Sequence, residues 1–396
     1  MSIDMKTYLA LSAVMFLEYA VWGAWAPVLA ARLLGPLKFS GKQTGWIYAT
    51  LPIACMISPL VSGQLADKWF NLEYILVVTH LVGAVLLFAA ARCEKFSPLF
   101  LVMMLYSLCY AATLPLVNAV LFAKVTDIDT QGKVFIWAPV AWALVGYFLT
   151  SWRWVYKTEV RGRDCLFLAA ALSVVMAAVC LMLPASPPAG EGGTPILKAV
   201  SLLGQSNFLI FFIVSVVIAG LMQFYFLGSA RFMQDIGING KNVPAAMGIA
   251  QAVQAVATFF ALGFFLSDVG FKNTLLIGAC CWFLLYLIYT TTRVRWLVVM
   301  GQGLHGLAYV LFIIVGQIFA NTVADPEIRG STQGLIFFAT TGLGLFLGTQ
   351  AAGIVMDRFS VEGQFRWRKV WMVPLIVLVI GIIFLLTMFH NPQTAA

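Results

Sequence analysis

Residues 63–68 read GQLADK at the end of one apolar run, and residues 263–272 read GFFLSDVGFK at the end of another, 200 positions later. A second pair of polar segments, DTQGK at 129–133 and DPEIRG at 325–330, follows two further apolar runs at a similar offset. Matching polar segments at a nearly constant offset indicate an internal repeat of six apolar segments, which is typical of a fold made of two parallel-related bundles.

The composition places these apolar runs in lipid. Apolar and aromatic residues make up 62% of the 396 residues and charged residues only 10%, against about 45–50% and about 25% in soluble domains. The mean hydropathy of +0.94 is too high for a chain that must present a solvated surface. Because a span takes about 20 apolar residues, a chain of this length holds twelve spans with short loops. The composition is not typical of a water-soluble enzyme.

Hydropathy and loop residues predict an all-α membrane protein with twelve transmembrane helices in two six-helix bundles. The one long polar stretch between spans begins with PASPPAGEGG at 184–193, where proline and glycine oppose a continuous helix. We therefore expect an N-terminal bundle at 1–184, a central cytoplasmic linker at 185–206 and a C-terminal bundle at 207–396. The predicted spans are 7–31, 44–66, 74–92, 98–123, 134–152, 165–184, 207–230, 244–266, 274–292, 296–322, 331–356 and 370–389.

The net charge and the positions of the cysteines indicate which binding partners to expect. The net charge of +8 is scattered over short loops without a basic stripe, so lipid headgroups rather than nucleic acid are the expected partner. The seven cysteines lie mostly inside apolar runs without metal-ligand spacing and are interpreted as packing residues. The chain has no N-x-[ST] glycosylation acceptor, which fits a bacterial inner membrane.

No catalytic motif is found: the sequence has no GxSxG, no HExxH and no phosphate-binding loop. We expect no catalytic residues, no metal and no cofactor. Without a nucleotide-binding segment, any active transport by this chain must draw on an ion gradient.

Glu18 stands alone among the 16 carboxylates, because it is the one that falls near the middle of a predicted span. A carboxylate in hydrocarbon costs roughly 2.5–3.5 kcal/mol and persists where it faces the bundle interior, pairs or takes up a proton. Two interpretations follow. Glu18 binds the coupling proton or a substrate hydroxyl, or it is a protonated acid that fixes span 1 by a hydrogen bond.

Other polar and aromatic side chains in the spans are candidate substrate contacts. Trp22 and Trp25 lie at i+4 and i+7 from Glu18, on one helix face, and are either a stacking platform or packing groups. Tyr19 is one position off this face. Amide side chains in lipid need hydrogen-bond partners, so each glutamine or asparagine in a span is a candidate. His305 is either a proton relay or a packing group. The further candidates are Asn118 in span 4, which either repairs the helix near Pro115 or faces the cavity, Gln223 in span 7, Gln251 and Gln254 at i, i+3 in span 8, and His305 and Tyr309 at i, i+4 in span 10.

The loop after span 2 resembles the signature loop of the major facilitator superfamily, Gly-x-x-x-Asp-Lys. The resemblance implies a glycine at a close helix approach and an aspartate that closes the cytoplasmic side against a neighbouring helix end. Ser267 occupies the aspartate position of the second copy, with Asp268 displaced by one. The residues expected to act as this conformational latch are Gly63, Asp67, Lys68, Asp268, Lys272 and Arg329.

More closely, the chain resembles the nucleoside:proton symporter family within that superfamily. The residues that carry the likeness run almost end to end: Trp22-Gly-Ala-Trp25, Ala66-Asp67-Lys68-Trp69, Thr113-Leu114, Asn118, Ile136-Trp137, Gln223, Gln251, Phe264-Phe-Leu-Ser267, Gly270, Lys272-Asn273, Ile328-Arg329 and Gln333-Gly334. The resemblance implies a proton-coupled nucleoside carrier and adds Trp137 to the substrate contacts.

The chain departs from the family pattern at several polar contacts. Gln254 stands where the family has a glutamate, and Glu18 where a family member has a glutamine. Four apolar residues stand at positions that are polar in the family: Phe135, Phe226, Val310 and Ile313. The acid has been transferred from the second half of the chain to the first.

The resemblance also implies that both termini are cytoplasmic. The cytoplasmic loops then hold only 7 of the 24 basic residues, which opposes the positive-inside tendency.

We expect a monomeric carrier that takes up a small polar solute, a nucleoside by resemblance, together with protons, by alternating access around a midplane cavity. The alternatives are a carrier for a sugar or an amphipathic metabolite, and a membrane receptor that transports nothing.

Overall fold

A computed structural model describes residues 4–125, 127–188, 200–325 and 328–391. Eleven of its described helices are long and apolar enough to cross a membrane, and one shorter apolar helix comes sixth in order. The predicted helical membrane fold is confirmed. Spans 1 to 6 are Met5–Leu34, Gly41–Lys68, Leu72–Arg92, Phe96–Lys124, Trp137–Tyr156 and Asp164–Cys180. Spans 7 to 12 are Ser206–Asp235, Val243–Phe260, Leu262–Thr291, Arg295–Val323, Ser331–Arg358 and Trp367–Met388.

Short elements lie between the spans. A helix at Ile128–Phe135 precedes span 5, and single 3₁₀ turns lie at Thr158–Val160 and Ser201–Gly204. Two short strands, β1 (Ser360–Val361) and β2 (Gln364–Phe365), form an antiparallel hairpin before span 12. The sequence patterns gave no sign of this hairpin.

Local sequence explains where several helices begin. The Asp4 carboxylate accepts from the backbone N–H of Thr7 at 2.9 Å at the start of span 1. Ser40 and Gln43 form a reciprocal capping box at the start of span 2. Each satisfies backbone donors that the first helical turn leaves free.

Span 1 is interrupted between Trp25 and Leu29. Pro27 lies in the interruption and has no backbone N–H to continue the helical bonds. The Tyr48 hydroxyl of span 2 compensates, because it donates to the Ala26 carbonyl at 2.7 Å and accepts from the Ala30 N–H at 3.0 Å.

The junction between spans 8 and 9 differs from the prediction. A loop was expected at 267–273, but span 8 ends at Phe260, span 9 begins at Leu262, and a π-helix covers Phe265–Val269. Gly270 follows with φ of 77°, a backbone conformation that glycine adopts without strain. The turn is therefore made inside a helical stretch, which hydropathy alone cannot distinguish from a loop.

The chain divides into two compact units. The first consists of the described residues up to 188 and the segment Ile238–Gly248, and the second of the described residues 200–237 and those from Ile249 onward. In the first unit, span 1 packs against spans 5 and 6, and span 3 against spans 4 and 6. In the second unit, span 7 packs against spans 11 and 12, and span 9 against spans 10 and 12. The pairs repeat at an offset of six spans, as expected of an internal duplication.

Small residues allow the closest helix contacts. A Cβ added to Gly23 in span 1 would lie 2.9 Å from Cγ of Trp142 in span 5, so only glycine fits there. In the second unit, Gly220 of span 7 faces Gly348 of span 11 backbone to backbone. Such contacts supply the van der Waals packing that replaces the hydrophobic effect between helices in lipid.

A buried ion pair joins the end of span 5 to the start of span 6 in the first unit. Arg153, near the end of span 5, donates from Nε and Nη2 to the Asp164 carboxylate at 2.6 and 2.9 Å, and both side chains are almost fully buried. Thr158 and the backbone N–H of Cys165 donate to the same carboxylate. Nη1 of Arg153 donates to the Gly240 carbonyl at 3.1 Å, which ties the segment Ile238–Gly248 to span 5.

We predict that Asp164→Asn strongly destabilises the protein, because it leaves the buried Arg153 guanidinium without its counter-charge. Removing one partner of a buried pair costs about 3–5 kcal/mol. Thermal unfolding of the purified protein, followed by tryptophan fluorescence, measures the effect. Glu94→Gln is the matched control, since its partner Arg163 is partly exposed and Glu94 itself is mostly exposed. The control should cost less than about 1 kcal/mol, and equal effects would contradict the prediction.

Candidate functional site

Glu18 lies in a closed polar cluster at the centre of the first unit. Its side chain is fully buried. Oε2 lies 3.0 Å from Nε2 of His80 in span 3, and Oε1 accepts from the Thr113 hydroxyl of span 4 at 2.6 Å. The Tyr110 hydroxyl donates to the Glu18 backbone carbonyl at 2.7 Å. The acid therefore points neither to lipid nor to aliphatic neighbours, but to hydrogen-bonding groups from two other spans.

The helical repeat explains how span 4 supplies its part of this cluster. Tyr106, Tyr110 and Thr113 lie at i, i+4 and i+7 and share one helix face. All three are buried. Their polar atoms point toward span 1, where Tyr106 accepts from the Trp25 indole N–H at 3.2 Å.

His80 lies in this cluster, although the sequence favoured a packing role for it over a functional one. It was not among the predicted site residues, yet it is 2% exposed and bonded to Glu18. The sequence contained a sign of this role, because His80 is an ionisable residue in the middle of an apolar span. Glu18 was selected by the same criterion.

The structure separates the two tryptophans that were expected on one face with Glu18. Trp25 is 1% exposed and hydrogen-bonded to Tyr106, which favours the packing interpretation. Trp22 is partly exposed and meets Trp142 edge to face, with ring centroids 5.5 Å apart. The partly exposed stripe of span 1 includes Ala13, Phe16, Tyr19 and Trp22, at steps of three residues.

This stripe matters because span 1 is the most buried of the eleven long spans. Residues that stay accessible on such a helix are candidates to line an aqueous cavity. Tyr19, which the sequence analysis placed off the face, lies on this stripe beside Trp22, with ring centroids 6.5 Å apart. Trp137 at the start of span 5 is 37% exposed and packs edge to face on Phe16 at 6.3 Å.

Asn118 lies one and a half turns beyond Thr113 in span 4. Its side chain is partly buried, and its Oδ1 atom is buried without a hydrogen-bond partner among the described residues. A buried amide oxygen without a partner costs free energy. The observation shows that the protein does not satisfy this oxygen, and the cavity interpretation of Asn118 stays a prediction.

The second unit presents three glutamines whose amides have no hydrogen-bond partner among the described residues. Gln223 of span 7 and Gln254 of span 8 are buried, and Gln251 is partly buried. None of the three side chains hydrogen-bonds to another residue in the described ranges, whereas the buried Gln302 bonds to Tyr225 at 2.7 Å and to Tyr289. A membrane protein retains unsatisfied amides where a ligand satisfies them.

His305 is held rigidly in the second unit. Its ring stacks on Tyr225 with centroids 3.9 Å apart and planes 10° apart. Its Nδ1 accepts from the Trp282 indole N–H at 3.1 Å. That bond leaves Nε2 as the protonated nitrogen of the neutral ring.

Tyr309 begins a π-helix, Tyr309–Ile314, and is partly exposed. Such π-helical turns occur frequently at functional sites. A small pocket in the same unit includes Phe312, Ile313 and Gln317 of span 10 and Thr340 of span 11. Val310 and Ile313, two of the apolar replacements, are both buried.

The residues expected to form the conformational latch are not joined by ion pairs within their units in the described part of the chain. Lys68 is exposed, Asp268 accepts from the neighbouring Ser267 hydroxyl, and the Lys272 backbone N–H donates to Asn391. A Cβ at Gly63 would meet open space. The side chains of Asp67 and Arg329 lie outside the described residues. The latch stays a prediction.

Among the described residues, no group of three or more His, Cys, Asp or Glu side chains could hold a metal ion.

Comparison with known proteins identifies the family. The chain matches the model of the family described as Nucleoside H+ symporter over residues 5–394. It belongs to this family. Nucleoside permease NupG of Escherichia coli (strain K12) is 28% identical over 387 residues, which cover 93% of this chain and 92% of that protein. Xanthosine permease of the same bacterium is 27% identical over 391 residues, which cover 94% and 92%.

Solved structures agree with this assignment. Two crystal structures of nucleoside transporter NupG, one of a mutant, are 26% identical to this chain. They match it with TM-scores of 0.88 and 0.86 over 97% and 98% of its length and 100% of theirs. A bacterial homologue of the lysosomal transporter Spinster shares the fold alone, at a TM-score of 0.75 and 15% identity over 96% of this chain and 95% of that one. The predicted membership of the symporter family is confirmed.

We predict that cysteines at positions 19 and 22 react with a water-soluble maleimide, whereas cysteines at 17 and 25 do not. Tyr19 and Trp22 lie on the partly exposed stripe, while Leu17 and Trp25 are buried. Labelling with this reagent measures accessibility to water rather than to lipid. The purified variants to compare are Tyr19→Cys, Trp22→Cys, Leu17→Cys and Trp25→Cys, and the labelling of the seven native cysteines is subtracted. Equal labelling at positions 22 and 25 would refute the assignment of the stripe.

Proposed function

We propose that this protein is a secondary active transporter that moves a nucleoside together with protons across the membrane by alternating access. The observation that carries the proposal is the fully buried Glu18 carboxyl, hydrogen-bonded to His80 and Thr113 inside a member of the nucleoside:proton symporter family. The nucleoside is the solute that the family description and the relatives' names support. The protein acts as a carrier and not as an enzyme.

In the proposed mechanism, Glu18 binds the proton that drives transport. An ionised carboxylate in the low-dielectric interior of a bundle is costly, and a proton removes that cost. Each pH unit across the membrane supplies about 1.4 kcal/mol per proton, which supports about tenfold solute accumulation. Glu18 converts this gradient into work when it takes up its proton on one side and releases it on the other.

The substrate side rests on amides and aromatic rings. Gln223, Gln251 and Gln254 lack partners within the described chain, and each amide can both donate to and accept from a nucleobase or ribose. In the first unit, Trp22 and Trp137 offer partly exposed rings for stacking, and Asn118 offers an acceptor. In the second unit, His305 offers an Nε2 donor and Tyr309 a hydroxyl. Trp25, among the predicted contacts, is the one whose burial and bond to Tyr106 favour a packing role.

The membrane location, the orientation and the oligomeric state are also part of this proposal. We place the protein in the bacterial inner membrane as a monomer with both termini cytoplasmic, in contact with lipid and not with nucleic acid. The bundles 1–184 and 207–396 are joined by the cytoplasmic linker 185–206. Latch residues Gly63, Asp67, Lys68, Asp268, Lys272 and Arg329 act at the cytoplasmic side during alternating access.

A second solute class is favoured by one observation. Three positions that are polar in the family pattern hold Phe226, Val310 and Ile313, and Phe226 packs edge to face on His305 with ring centroids 5.8 Å apart. These apolar residues in place of polar ones suit a solute with a larger apolar part than a ribonucleoside.

Uptake of radiolabelled uridine, adenosine and xanthosine into proteoliposomes tests the function. With an outside-acid pH gradient, nucleoside should accumulate above its external concentration, and a protonophore should abolish the accumulation. Competition by unlabelled sugars and amphipathic metabolites tests the second class. Failure of every nucleoside, with uptake of one of these solutes, would replace the proposed substrate.

We predict that Glu18→Gln abolishes gradient-driven accumulation but retains counterflow exchange of nucleoside. Glutamine preserves the size and hydrogen-bonding capacity of the side chain but cannot bind a proton. Uptake with and without the pH gradient measures the loss, and Glu362→Gln, at an exposed turn, is the control. Accumulation at the parental level in Glu18→Gln would remove Glu18 from the coupling mechanism.

We predict that Gln251→Met and Gln254→Met each weaken nucleoside transport about tenfold in KM without lowering thermal stability. Each amide is satisfied by substrate and not by protein, so its removal leaves substrate groups unpaired at about 1–3 kcal/mol. Gln302→Met is the comparison variant, because its amide bonds to Tyr225, Tyr289 and the Val298 carbonyl. Gln302→Met should lower stability. Loss of stability in all three variants alike would assign the span 8 amides a structural role.

A further inference from the structure

We propose that His80 binds the coupling proton jointly with Glu18, through the buried hydrogen bond between the middle of span 3 and the middle of span 1. The proposal rests on the proposed function, since it names the second half of the proton site. It concerns a residue that neither the family resemblance nor the motif analysis selected.

The partners of Glu18 can each accept as well as donate a hydrogen bond. Nε2 of His80, 3.0 Å from Oε2, donates in one tautomer and accepts in the other. Thr113 Oγ1 lies 2.6 Å from Glu18 Oε1 and 2.7 Å from the Tyr110 carbonyl oxygen, so its single proton can go to either. The cluster therefore satisfies the carboxyl group whether it is ionised or protonated.

The hydrogen-bond partners of Glu18 differ in kind from those of Asp164, another buried carboxylate. Asp164 is also buried, but its partners are the Arg153 guanidinium, the Thr158 hydroxyl and the Cys165 backbone N–H. A guanidinium and a backbone amide only donate, so they suit the ionised carboxylate alone. The same protein thus surrounds one carboxylate with donors that suit its ionised form and gives the other partners that suit both forms.

Charge arithmetic favours the pair as the titrating unit. Neutral His80 with ionised Glu18 carries a net charge of −1, and one added proton brings the pair to zero, whether it resides on the imidazole or on the carboxyl group. When two groups interact this closely, the proton belongs to the pair. Protonation therefore neutralises a buried site, which lowers the cost of moving it through the membrane interior.

The groups that face the pair are neutral at physiological pH. Tyr106 and Tyr110 of span 4, Cys180 of span 6 and the adjacent Tyr19 lie within its electrostatic surroundings. Among the described residues of the packed elements, span 5 has one charged residue, Arg153, paired with Asp164 near its far end. Lys133 lies on the short helix before span 5. No fixed cation is bonded to Glu18 in the described chain, so a proton is the charge that compensates it.

The first experiment is spectroscopic and needs no substrate. Infrared difference spectra of the purified protein, recorded across pH, should show a carboxylic acid C=O band that disappears in Glu18→Gln. In His80→Gln the band should persist with its titration midpoint displaced by about one pH unit or more, because the coupling partner is gone. Glutamine can still donate to Glu18, so a purely structural His80 would leave the midpoint unchanged. An unchanged midpoint overturns the proposal.

The second experiment measures transport. His80→Gln should shift the pH profile of nucleoside uptake and reduce gradient-driven accumulation while counterflow exchange continues. The double variant Glu18→Gln with His80→Gln should be no worse than Glu18→Gln alone, since the two residues act as one unit. His390→Gln, at an exposed histidine after span 12, is the matched control. Additive losses, or a parental pH profile in His80→Gln, refute the shared proton site.

The two experiments separate the proposals. If the parental protein accumulates no nucleoside but its carboxyl band titrates and responds to His80→Gln, the function is wrong and the proton pair stands. If nucleoside accumulates with the gradient but His80→Gln leaves both the band and the pH profile unchanged, the function stands and the shared site is refuted.

Discussion

The structure depends on the requirement that a polar group placed in hydrocarbon must find a partner, either within the protein or in a bound ligand. Glu18 meets it through His80 and Thr113, and Arg153 meets it through Asp164 and the Gly240 carbonyl. In water these contacts would contribute little, because solvent would replace them. In a bilayer they determine which helices stand next to each other and which way each helix faces.

The two halves of the chain use this constraint differently. In the first unit, the central polar atoms are mostly bonded to one another, and Glu18 is enclosed by three spans. In the second unit, Gln223, Gln251 and Gln254 lack partners within the described chain, while His305 is fixed by Tyr225 and Trp282. A closed cluster suits the binding of a proton, which needs little space, and unpaired amides suit a larger polar solute.

The distribution of acids also distinguishes this chain from the family pattern it follows. The resemblance to the family implies that Gln254 stands at a carboxylate position in span 8 and that Glu18 stands at a glutamine position in span 1. In the proposed mechanism, the proton site with His80 is therefore separate from the solute contacts. Tyr19 and Trp22 flank Glu18 on the partly exposed side of span 1.

Composition and hydropathy were enough to predict a helical membrane fold with an internal repeat and to single out Glu18 as an acid within a span. Span length is set by bilayer thickness and repeats by duplication, and both leave a direct record in composition. Side-chain partners were not determined, because they depend on how helices rotate and pack. Helix periodicity placed Glu18, Trp22 and Trp25 together, whereas the structure buries Trp25 against Tyr106, leaves Trp22 accessible and pairs Glu18 with His80, 62 residues away. Hydropathy records the depth of a residue along a span, and only tertiary packing decides which neighbour it meets there.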